Sequence, residues 1–314
     1  MLEEVERWLA TRSWSVADRP LARILAAKQR TGQSVSVVLP ALNEERTVGD
    51  IVTVIRRDLV ERAPLVDELV VVDSGSTDRT AEVAAAAGAR VVRRDDILPR
   101  IPAVPGKGEV LWRSLLVTGG DIVCFIDADL REFSSDFVSG IVGPLLTDPG
   151  VDLVKAMYDR PMGDTAGQGG RVTELMARPL LNMHWPRLAG FVQPLGGEYA
   201  ARRSLLERLP FPVGYGVELG MLVDALHLVG LDALAQVDVG VRKHRHQDSQ
   251  ALGRMAAAIY RTAQLRLARG HLVRPALTQF ERGEEGFEPR TYSVDTEERP
   301  PMAETAEYAA RRVA

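Results

Sequence analysis

Residues 34–45 read SVSVVLPALNEE, a strand-length apolar run followed by a polar turn and two glutamates. The run up to Pro40 is almost continuously apolar, which predicts a strand that is buried on both faces of a sheet. Asn43 then stands where it can cap a helix whose first turn contains Glu44 and Glu45. The stretch therefore predicts one strand-to-helix step.

The same step repeats along the first half of the chain. Strands are predicted at 69–73, 89–93 and 121–126, and helices at 78–87 and 109–117. Strands that alternate with helices pair in parallel through right-handed crossovers. The pattern therefore predicts an α/β fold with a Rossmann-like, mostly parallel sheet.

The remainder of the chain is less periodic. It contains predicted strands at 152–158, 197–201 and 233–241, and predicted helices from 172, at 217–229 and at 251–268. Residues 163–170 include four glycines, which indicates a mobile loop. We expect the first 33 residues to form helices appended to the main fold. Residues 281–314 are charged and contain prolines, which predicts a weakly ordered tail.

The composition argues against several classes of protein. The chain has 314 residues and a formal net charge of −4, so it lacks the basic excess typical of nucleic-acid binding. No stretch approaches the roughly 20 apolar residues that span a bilayer, and the first residues do not resemble a signal peptide. The single cysteine, Cys124, lies in an apolar run, which predicts a buried and inert thiol. We therefore expect a cytoplasmic protein that does not bind nucleic acid.

Two aspartates, Asp127 and Asp129, stand directly after the predicted strand at 121–126. In open parallel sheets, ligands collect at the carboxyl ends of the strands, where helix N-termini present unpaired amides. There the two carboxylates can bind a hard cation that bridges to phosphates. Alternatively, they only terminate the strand. The polar residues at 40–44 and 73–77, which follow two other strands, favour the metal site.

Other candidate residues stay ambiguous when each is taken alone. Residues 73–78, DSGSTD, can bind a nucleoside or form an ordinary turn with a helix cap. Lys107 stands between two glycines and can neutralise a phosphate, but it lacks the P-loop spacing, and a solvated lysine is the simpler interpretation. His244 follows a strand and can ligate a metal or lie on the surface. Arg171 and Thr173 open a helix, where they can bind one phosphate or face solvent.

The motifs PALNEE at 40–45, DSGSTD at 73–78, PGKGE at 105–109 and DAD at 127–129 occur in this order. Together they resemble the GT-A glycosyltransferases. Residues 34–246 resemble more specifically the actinobacterial glucosyl-3-phosphoglycerate synthases, through GGRVTEL at 169–175, QPL at 193–195, GYGVE at 214–218 and GVR at 240–242.

This resemblance implies a GT-A fold and a reaction that transfers glucose from UDP-glucose to D-3-phosphoglycerate with retention. The reaction would depend on Mg²⁺ or Mn²⁺ and would be the first step towards glucosylglycerate and methylglucose lipopolysaccharides. The resemblance also implies a homodimer.

Roles for single residues follow from the same resemblance, motif by motif. The uridine would be held by Pro40, Ala41, Leu42, Glu44 and Ser74. The diphosphate and hexose would be held by Lys107, Asp127, Ala128, Tyr215 and Glu218, of which Lys107, Asp127 and Glu218 would be catalytic. The metal ligands would be Asp129 and His244. The acceptor would be held by Gly170, Arg171, Thr173 and His246.

The resemblance also divides the chain by function. Residues 1–33 would be a helical extension, 34–160 the nucleotide-sugar-binding half, 161–280 a smaller acceptor-binding half with the C-terminal helix, and 281–314 the tail. Gly196 and His246 depart from the family pattern, because some members have serine and asparagine there. A sister branch makes mannosyl-3-phosphoglycerate from GDP-mannose with similar motifs, so the donor stays open between the two.

Alternative classes of protein differ in what they require after the first strand. A dinucleotide-dependent oxidoreductase needs Gly-x-Gly-x-x-Gly where PALNE stands, and a sugar-phosphate nucleotidyltransferase needs a glycine-rich, arginine-containing loop there. A non-catalytic protein that binds nucleotide sugars would keep the same binding residues, so this alternative stays open. No residue stands out as a nucleophile. Retention therefore rests on the resemblance, and we expect a front-face mechanism in which the donor phosphate assists the acceptor hydroxyl.

Overall fold

The computed structural model describes residues 2–159, 170–242, 248–267, 276–283, 286–293 and 297–313. The α-helices are α1 (Glu3–Arg12), α2 (Leu21–Thr31), α3 (Val48–Ile55), α4 (Thr80–Ala86), α5 (Lys107–Val117), α6 (Asp136–Thr147), α7 (Arg178–His184), α8 (Arg203–Leu206), α9 (Val217–Val229), α10 (Ser249–Leu267) and α11 (Ala306–Val313). The strands are β1 (Ser13–Ser15), β2 (Val35–Ala41), β3 (Glu68–Asp73), β4 (Arg90–Arg93), β5 (Ile122–Phe125), β6 (Leu153–Asp159), β7 (Tyr199–Arg202), β8 (Phe211–Pro212), β9 (Leu234–Val241), β10 (Ala276–Gly283), β11 (Gly286–Ser293) and β12 (Glu298–Arg299).

An eight-stranded sheet forms the centre of the fold, in the order β1-β9-β6-β7-β5-β2-β3-β4. Strand β7 runs antiparallel to its neighbours β5 and β6, and the other neighbouring strands pair in parallel. The predicted α/β class with a mostly parallel sheet is therefore confirmed. Because β2, β3 and β5 run in the same direction, their carboxyl ends lie at one edge of the sheet.

The central strands are buried on both faces, as their continuous apolar runs predict. Along β5, Val123 and Phe125 face one hydrophobic core, and Ile122 and Cys124 face the other. Burial raises the pKa of the Cys124 thiol, which keeps the thiol protonated. The prediction of a buried cysteine is confirmed.

The N-terminal residues are part of the main fold, so the prediction of an appendage is wrong. Strand β1 pairs in parallel with β9 and forms one edge of the central sheet. Helix α1 buries Val5 and Trp8, and the Trp8 indole donates to the Leu234 carbonyl at 2.7 Å. The three residues of β1 are too few for a recognisable apolar pattern, which explains why the sequence did not predict this strand.

Residues 297–313 are also folded, which corrects the prediction of a weakly ordered tail for this part of the chain. Strand β12 pairs with β8, and α11 follows it. Met302 and Tyr308 are buried, and the Tyr308 hydroxyl donates to Glu207. The charged composition led to the wrong prediction because Arg299 and Glu298 form ion pairs with the main fold instead of facing water.

The central sheet crosses the predicted boundaries at 33/34 and 160/161. It takes β1 from the first segment, β2 to β6 from the second, and β7 and β9 from the third. These segments therefore share one sheet, and their division by function stays a prediction. Among the helices in the described ranges, none combines the length and the apolar character needed to cross a bilayer.

Candidate active site

The polar residues that follow β2, β3 and β5 meet at one edge of the sheet, as predicted. The Ser74 amide donates to the Ala41 carbonyl at 2.9 Å and joins the ends of β2 and β3. The Thr47 hydroxyl donates to the Ala128 carbonyl at 2.6 Å and joins the turns after β2 and β5. Hydrogen bonds between neighbouring turns thus fix this edge before any ligand binds.

Asn43 does not cap the helix after β2, which corrects the sequence prediction. Helix α3 begins at Val48, and Asn43 adopts the left-handed conformation with a φ of 58°. Asparagine tolerates this region, and its short side chain often bonds to nearby backbone. Here the side-chain oxygen accepts the Thr77 amide at 2.9 Å, so Asn43 ties the turn after β2 to the turn after β3.

Asp73 is committed to its own turn. Its carboxylate accepts the amides of Gly75 at 3.1 Å and Ser76 at 3.3 Å, the usual pattern of an Asx turn. Of the two sequence interpretations, the ordinary turn therefore accounts for Asp73. Ser74 is only half-buried, and its hydroxyl remains a candidate ligand for a nucleoside.

Lys107, Asp127 and Glu218 form an ion-paired group, which we call the central triad. The Lys107 ammonium contacts the Asp127 carboxylate and lies 2.9 Å from a carboxylate oxygen of Glu218. Burial would lower the pKa of Lys107, but the two carboxylates outweigh it and raise the pKa well above its usual value. Burial would also raise the pKa of Asp127, yet Lys107 and Arg242 lower it well below its usual range. Lys107 and Asp127 are therefore held in their charged forms.

Lys107 is the first residue of α5, and the glycines beside it allow the helix to start against β8. Gly106 has a φ of 142°, in the region that favours glycine. A Cβ atom at Gly108 would overlap the carbonyl of Pro212 in β8. Close packing thus explains the Gly-Lys-Gly sequence. The simpler interpretation, a solvated lysine, is wrong, because the Lys107 side chain is only 22% exposed.

Arg242 extends the charged group, although no role was predicted for it from the sequence. Its guanidinium donates to Glu198 at 2.9 Å, to Asp127 at 2.8 Å and to Asp129 at 3.3 Å. Glu198 is fully buried and also accepts the Tyr158 hydroxyl at 2.6 Å. Arg242 follows β9 directly, so its position at a strand end was the signal that could have identified it.

Lys155 is a buried lysine that no sequence motif predicted. It is 2% exposed, donates to the Gly196 carbonyl at 2.6 Å, and its ammonium lies 4.9 Å from the centre of the Tyr199 ring. Burial lowers the pKa of Lys155 to about 8, although Glu218 acts in the opposite direction. The residue after Gly196, Gly197, packs so closely on the Asp127–Lys107 pair that a Cβ atom would overlap both side chains. Lys155 therefore holds the Gly196 carbonyl next to Gly197, the glycine that packs against the central triad.

Asp129 is the carboxylate best placed to ligate a cation. Its side chain is 33% exposed, whereas that of Asp127 is 20% exposed and contacts two cationic groups. Burial and the charge of Asp127 raise the pKa of Asp129, so a divalent cation would stabilise its ionised form. A carboxylate oxygen is a ligand that Mg²⁺ and Mn²⁺ prefer, and Asp129 therefore fits the implied metal.

The remaining metal ligands do not come from a ready-made cluster in the described part of the chain. Within it, no group of three or more His, Cys, Asp or Glu side chains could hold a metal ion. His244, the second predicted ligand, and His246, the predicted acceptor contact, lie outside the described residues. Their assignments therefore stay predictions.

A cavity of about 820 Å³ opens beside Asp129. Its walls come from the turn 43–47 and the segment 130–133, with Asp50, Val54 and Asp78. Of the predicted site residues, the lining includes Glu44 and Asp129 but not Pro40, Ala41 or Leu42. The cavity is in the size range of small-molecule sites. It overlaps the predicted donor site only in part.

The predicted acceptor residues lie at a helix start, as expected. A continuous helical segment begins at Arg171, directly after Gly170, and passes through a π-helical turn, Thr173–Ala177, into α7. Arg171 is exposed, and its guanidinium donates to the Ser249 hydroxyl at 3.3 Å. Thr173 is buried. The geometry offers an accessible guanidinium and helix amides, a combination that suits an anion.

Two other predicted donor residues are exposed to solvent. Leu42 is 54% exposed in the turn after β2, and Tyr215 is 50% exposed just before α9. Both side chains can therefore reach a ligand from the surface. Their predicted contacts with the donor stay predictions.

An open α/β sheet with two aspartates after β5, one of them accessible, and an ion-paired lysine at a helix start fits a glycosyltransferase of the GT-A type, a class that uses nucleotide-sugar donors. Residues 36–209 match the model of glycosyl transferase family 2. The chain belongs to this family, and within it to the glucosyl-3-phosphoglycerate synthases, several of which it matches at 42 to 50% identity over more than nine-tenths of its length.

Individual relatives cover nearly the whole chain. The glucosyl-3-phosphoglycerate synthase of Mycolicibacterium smegmatis is 50% identical over 94% of this chain and 97% of its own length. The Mycobacterium tuberculosis enzyme, solved with Mn²⁺, UDP and glucosyl-3-phosphoglycerate, has a TM-score of 0.81 and 48% identity, and covers 90% of this chain and 95% of its own. The mannosyl-3-phosphoglycerate synthase of Rubrobacter xylanophilus has a TM-score of 0.90 and 42% identity, and covers 96% and 99%. The resemblance to this family is therefore confirmed.

Proposed function

We propose that the chain transfers glucose from UDP-glucose to D-3-phosphoglycerate with retention and produces glucosyl-3-phosphoglycerate. The observation that carries this proposal is the central triad, in which Lys107 joins Asp127 and Glu218 beside the accessible Asp129. Its support from relatives is the identity of 48 to 50% to glucosyl-3-phosphoglycerate synthases over more than nine-tenths of the chain.

The charges of the site suit a diphosphate leaving group. Asp129, with His244, would hold Mg²⁺ or Mn²⁺, and a bound cation would neutralise the charge that develops on the diphosphate. The Lys107 ammonium is positioned by two carboxylates and can donate to phosphate oxygens. We assign the uridine contacts to Pro40, Ala41, Leu42, Glu44 and Ser74.

The hexose would lie over the central triad. Asp127 is held ionised by Lys107 and Arg242, so it suits the role of an acceptor for sugar hydroxyls and not that of a base. Glu218, paired with Lys107, can play the same part, and we assign Ala128 and Tyr215 to the donor as well. A carboxylate that two cations neutralise is also a poor nucleophile, which favours a front-face mechanism over double displacement.

The acceptor phosphate would bind at the helix start formed by Gly170, Arg171 and Thr173, with His246 nearby. Arg171 offers an accessible guanidinium, and the first amides of the helix lack partners within the helix. Recognition of the phosphate by these groups would explain a preference for phosphorylated glycerate.

GDP-mannose is the alternative donor, and a specific observation favours it. The mannosyl-3-phosphoglycerate synthase has the higher TM-score, 0.90 against 0.81, although its identity is lower. Overall shape does not select a base or a sugar, however, and we keep UDP-glucose as the proposed donor on the higher sequence identity.

The decisive experiment is a donor competition. The protein is incubated with 3-phosphoglycerate, Mn²⁺ or Mg²⁺ and equimolar UDP-glucose, GDP-glucose, UDP-mannose and GDP-mannose. The UDP and GDP released are quantified by chromatography, and the hexose of the product is identified as glucose or mannose after hydrolysis. We expect a hexosyl product from UDP-glucose that disappears with EDTA. A dominant product from GDP-mannose would assign the protein to the mannosyl-3-phosphoglycerate synthases. A lack of any hexosyl product would favour the non-catalytic alternative.

We also propose that the protein is a homodimer in the cytoplasm, as its resemblance to the family implies. Light scattering on a size-exclusion column tests the dimer. One chain has a mass of 34.4 kDa, and we expect a single peak near twice this mass. A monomer peak at micromolar concentration would contradict the dimer.

A further inference from the structure

Lys107 and Glu218 stand near the starts of two helices, and the contact between them depends on how those starts are held. Lys107 begins α5, and Glu218 is the second residue of α9. Strand β8 lies against the start of α5 and leads through residues 213–216 into α9. The Glu109 amide in α5 donates to the Val213 carbonyl at 3.3 Å. The position of β8 therefore governs both helix starts.

The C-terminal strand β12 holds β8 in place. Arg299 pairs with Phe211, and Glu298 pairs with Pro212, in antiparallel register. The Val213 amide adds a hydrogen bond to the Glu297 carbonyl at 3.0 Å. Without β12, strand β8 would lose its hydrogen-bonded partner, because it pairs with no other strand in the described residues.

The two residues of β12 also form ion pairs in different directions. Arg299 contacts Glu109 of α5 at 2.6 Å, and Glu298 contacts Arg266 of α10 at 2.6 Å. Arg266 in turn pairs with Asp224 of α9 at 2.5 Å. One two-residue strand therefore links the helix that carries Lys107 to the helix that carries Glu218.

Arg299 acts closest to Lys107. Glu109 is fully buried, lies two residues after Lys107, and already has Arg113 as a partner at 2.7 Å. Arg299 is therefore a second cation on a carboxylate that already has one, so charge neutralisation alone does not account for it. Its guanidinium also donates to the Pro102 carbonyl at 2.7 Å, in the segment that leads to Gly106 and Lys107.

We propose that Arg299 is a positioning residue for sugar transfer, which acts by holding the start of α5 so that Lys107 reaches both Asp127 and Glu218. The inference rests on the proposed function, because it gives Lys107 its role on the donor diphosphate. It predicts that the C-terminal residues, although distant from the sheet edge in sequence, contribute to turnover as well as to folding.

The chain offers a matched control at the other end of the same helix. Arg311, from the same C-terminal segment, donates to the carbonyls of Leu116 at 2.6 Å and Thr118 at 3.0 Å, where α5 ends. Arg299→Met and Arg311→Met thus each remove an arginine of the C-terminal segment that contacts one end of α5. Only the first change lies beside Lys107.

We expect Arg299→Met to lower kcat about 10-fold, in the range seen when groups that support a site are removed, and to leave the acceptor KM unchanged. Arg311→Met should lower Tm but keep the wild-type kcat. Arg299→Lys, which keeps the charge, should recover part of the loss. Because Arg299 is proposed to act through Lys107, adding Arg299→Met to Lys107→Met should lower kcat no further.

Equal kcat in Arg299→Met and wild type would overturn the proposal, and so would an additive loss in the double variant. If both arginine variants lose kcat in proportion to their loss of Tm, Arg299 is only structural, which also overturns it. Should Arg299→Met fail to fold, Arg299→Lys takes its place in the same comparison.

Calorimetric titration with UDP and Mn²⁺ separates this inference from the proposed function. A wild type that transfers no hexose would overturn the proposed function. The titration would still decide on Arg299, because weaker UDP binding in Arg299→Met than in Arg311→Met supports it and equal binding contradicts it.

Discussion

The central triad and the acceptor helix start, which comprises Gly170, Arg171 and Thr173, differ in how their charges are held. In the triad, a half-buried lysine contacts two carboxylates, and Arg242 donates to one of them. At the helix start, Arg171 is exposed and donates to Ser249 at 3.3 Å. The cation of the donor side is thus half-buried and ion-paired to two carboxylates, whereas the cation of the acceptor side lies on the surface. Changes to the triad should therefore reduce kcat, and changes to the helix start should reduce acceptor affinity.

The largest effect is expected from Asp129→Ala. Loss of the accessible carboxylate removes a metal ligand that neutralises the leaving diphosphate, so kcat should fall at least about 10³-fold while Tm stays close to that of the wild type. Steady-state rates at saturating Mn²⁺ measure the effect, and Asp136→Ala, an exposed aspartate at the start of α6, is the control. An Asp129→Ala protein that keeps metal-dependent turnover would place the metal elsewhere.

Lys107→Met should lower kcat about 10²- to 10³-fold, because it removes a preorganised donor and leaves Asp127 and Glu218 without their shared cation. Asp127 keeps Arg242 as a partner, but the buried Glu218 loses its ion pair, which destabilises the fold, so Tm should fall. Lys28→Met removes another ion-paired lysine, which is 13% exposed and contacts Asp67. Its kcat should stay at the wild-type value. If Lys107→Met, like Lys28→Met, keeps the wild-type kcat and loses only stability, the triad is a structural feature and does not contribute to turnover.

Lys155 tests whether burial beside the central triad lowers the pKa of a lysine. Burial lowers its pKa in the folded protein to about 8, below the value of 10.5 expected for the unfolded chain. Between these two values the unfolded chain binds more protons, so the folded state gains stability as the pH rises. The unfolding free energy of the wild type, relative to Lys155→Met, should therefore increase by about 3 kcal/mol from pH 8 to pH 10.5. Urea titrations across this range that show a constant difference would mean that Lys155 titrates normally.

Arg171→Ala should give the smallest effect and the clearest separation between the two regions. Loss of a charge-assisted contact of roughly 1.5–3 kcal/mol should raise the acceptor KM about 10- to 100-fold and leave the donor KM nearly unchanged. The variant should also discriminate less between 3-phosphoglycerate and glycerate. Arg178→Ala, on the same helix and paired with Glu174, is the control and should keep both KM values. A higher donor KM in Arg171→Ala would mean that the acceptor site lies elsewhere.

The sequence predicts the part of the fold that depends on local pattern. The runs before Pro40 and Asp127 identify two buried strands, and these place Asp127 and Asp129 at the carboxyl edge without any knowledge of the tertiary structure. Helix α9 was predicted at its observed limits, because its apolar residues repeat over 13 positions between two glycines. Strand-end position therefore identifies Asp127 and Asp129.

The residues that surround these two aspartates depend on pairing between distant segments. Lys155 lies opposite Tyr199, the residue after Glu198, because β7 inserts antiparallel between β5 and β6, and no local pattern predicts that insertion. Arg299 reaches α5 through a two-residue strand that is too short to recognise. Its charge instead contributed to the prediction of a weakly ordered tail. Local pattern thus locates the site, and long-range pairing determines how the site is held.

The central claim is that the strand-end carboxylates and Lys107 transfer glucose from UDP-glucose to 3-phosphoglycerate. Its most direct test follows the label of UDP-[¹⁴C]glucose in the presence of Mn²⁺, with and without 3-phosphoglycerate. We predict that the label moves into an anionic hexosyl phosphoglycerate only when 3-phosphoglycerate is present. Label that stays on UDP-glucose under both conditions, or that is released as free glucose, would contradict the claim.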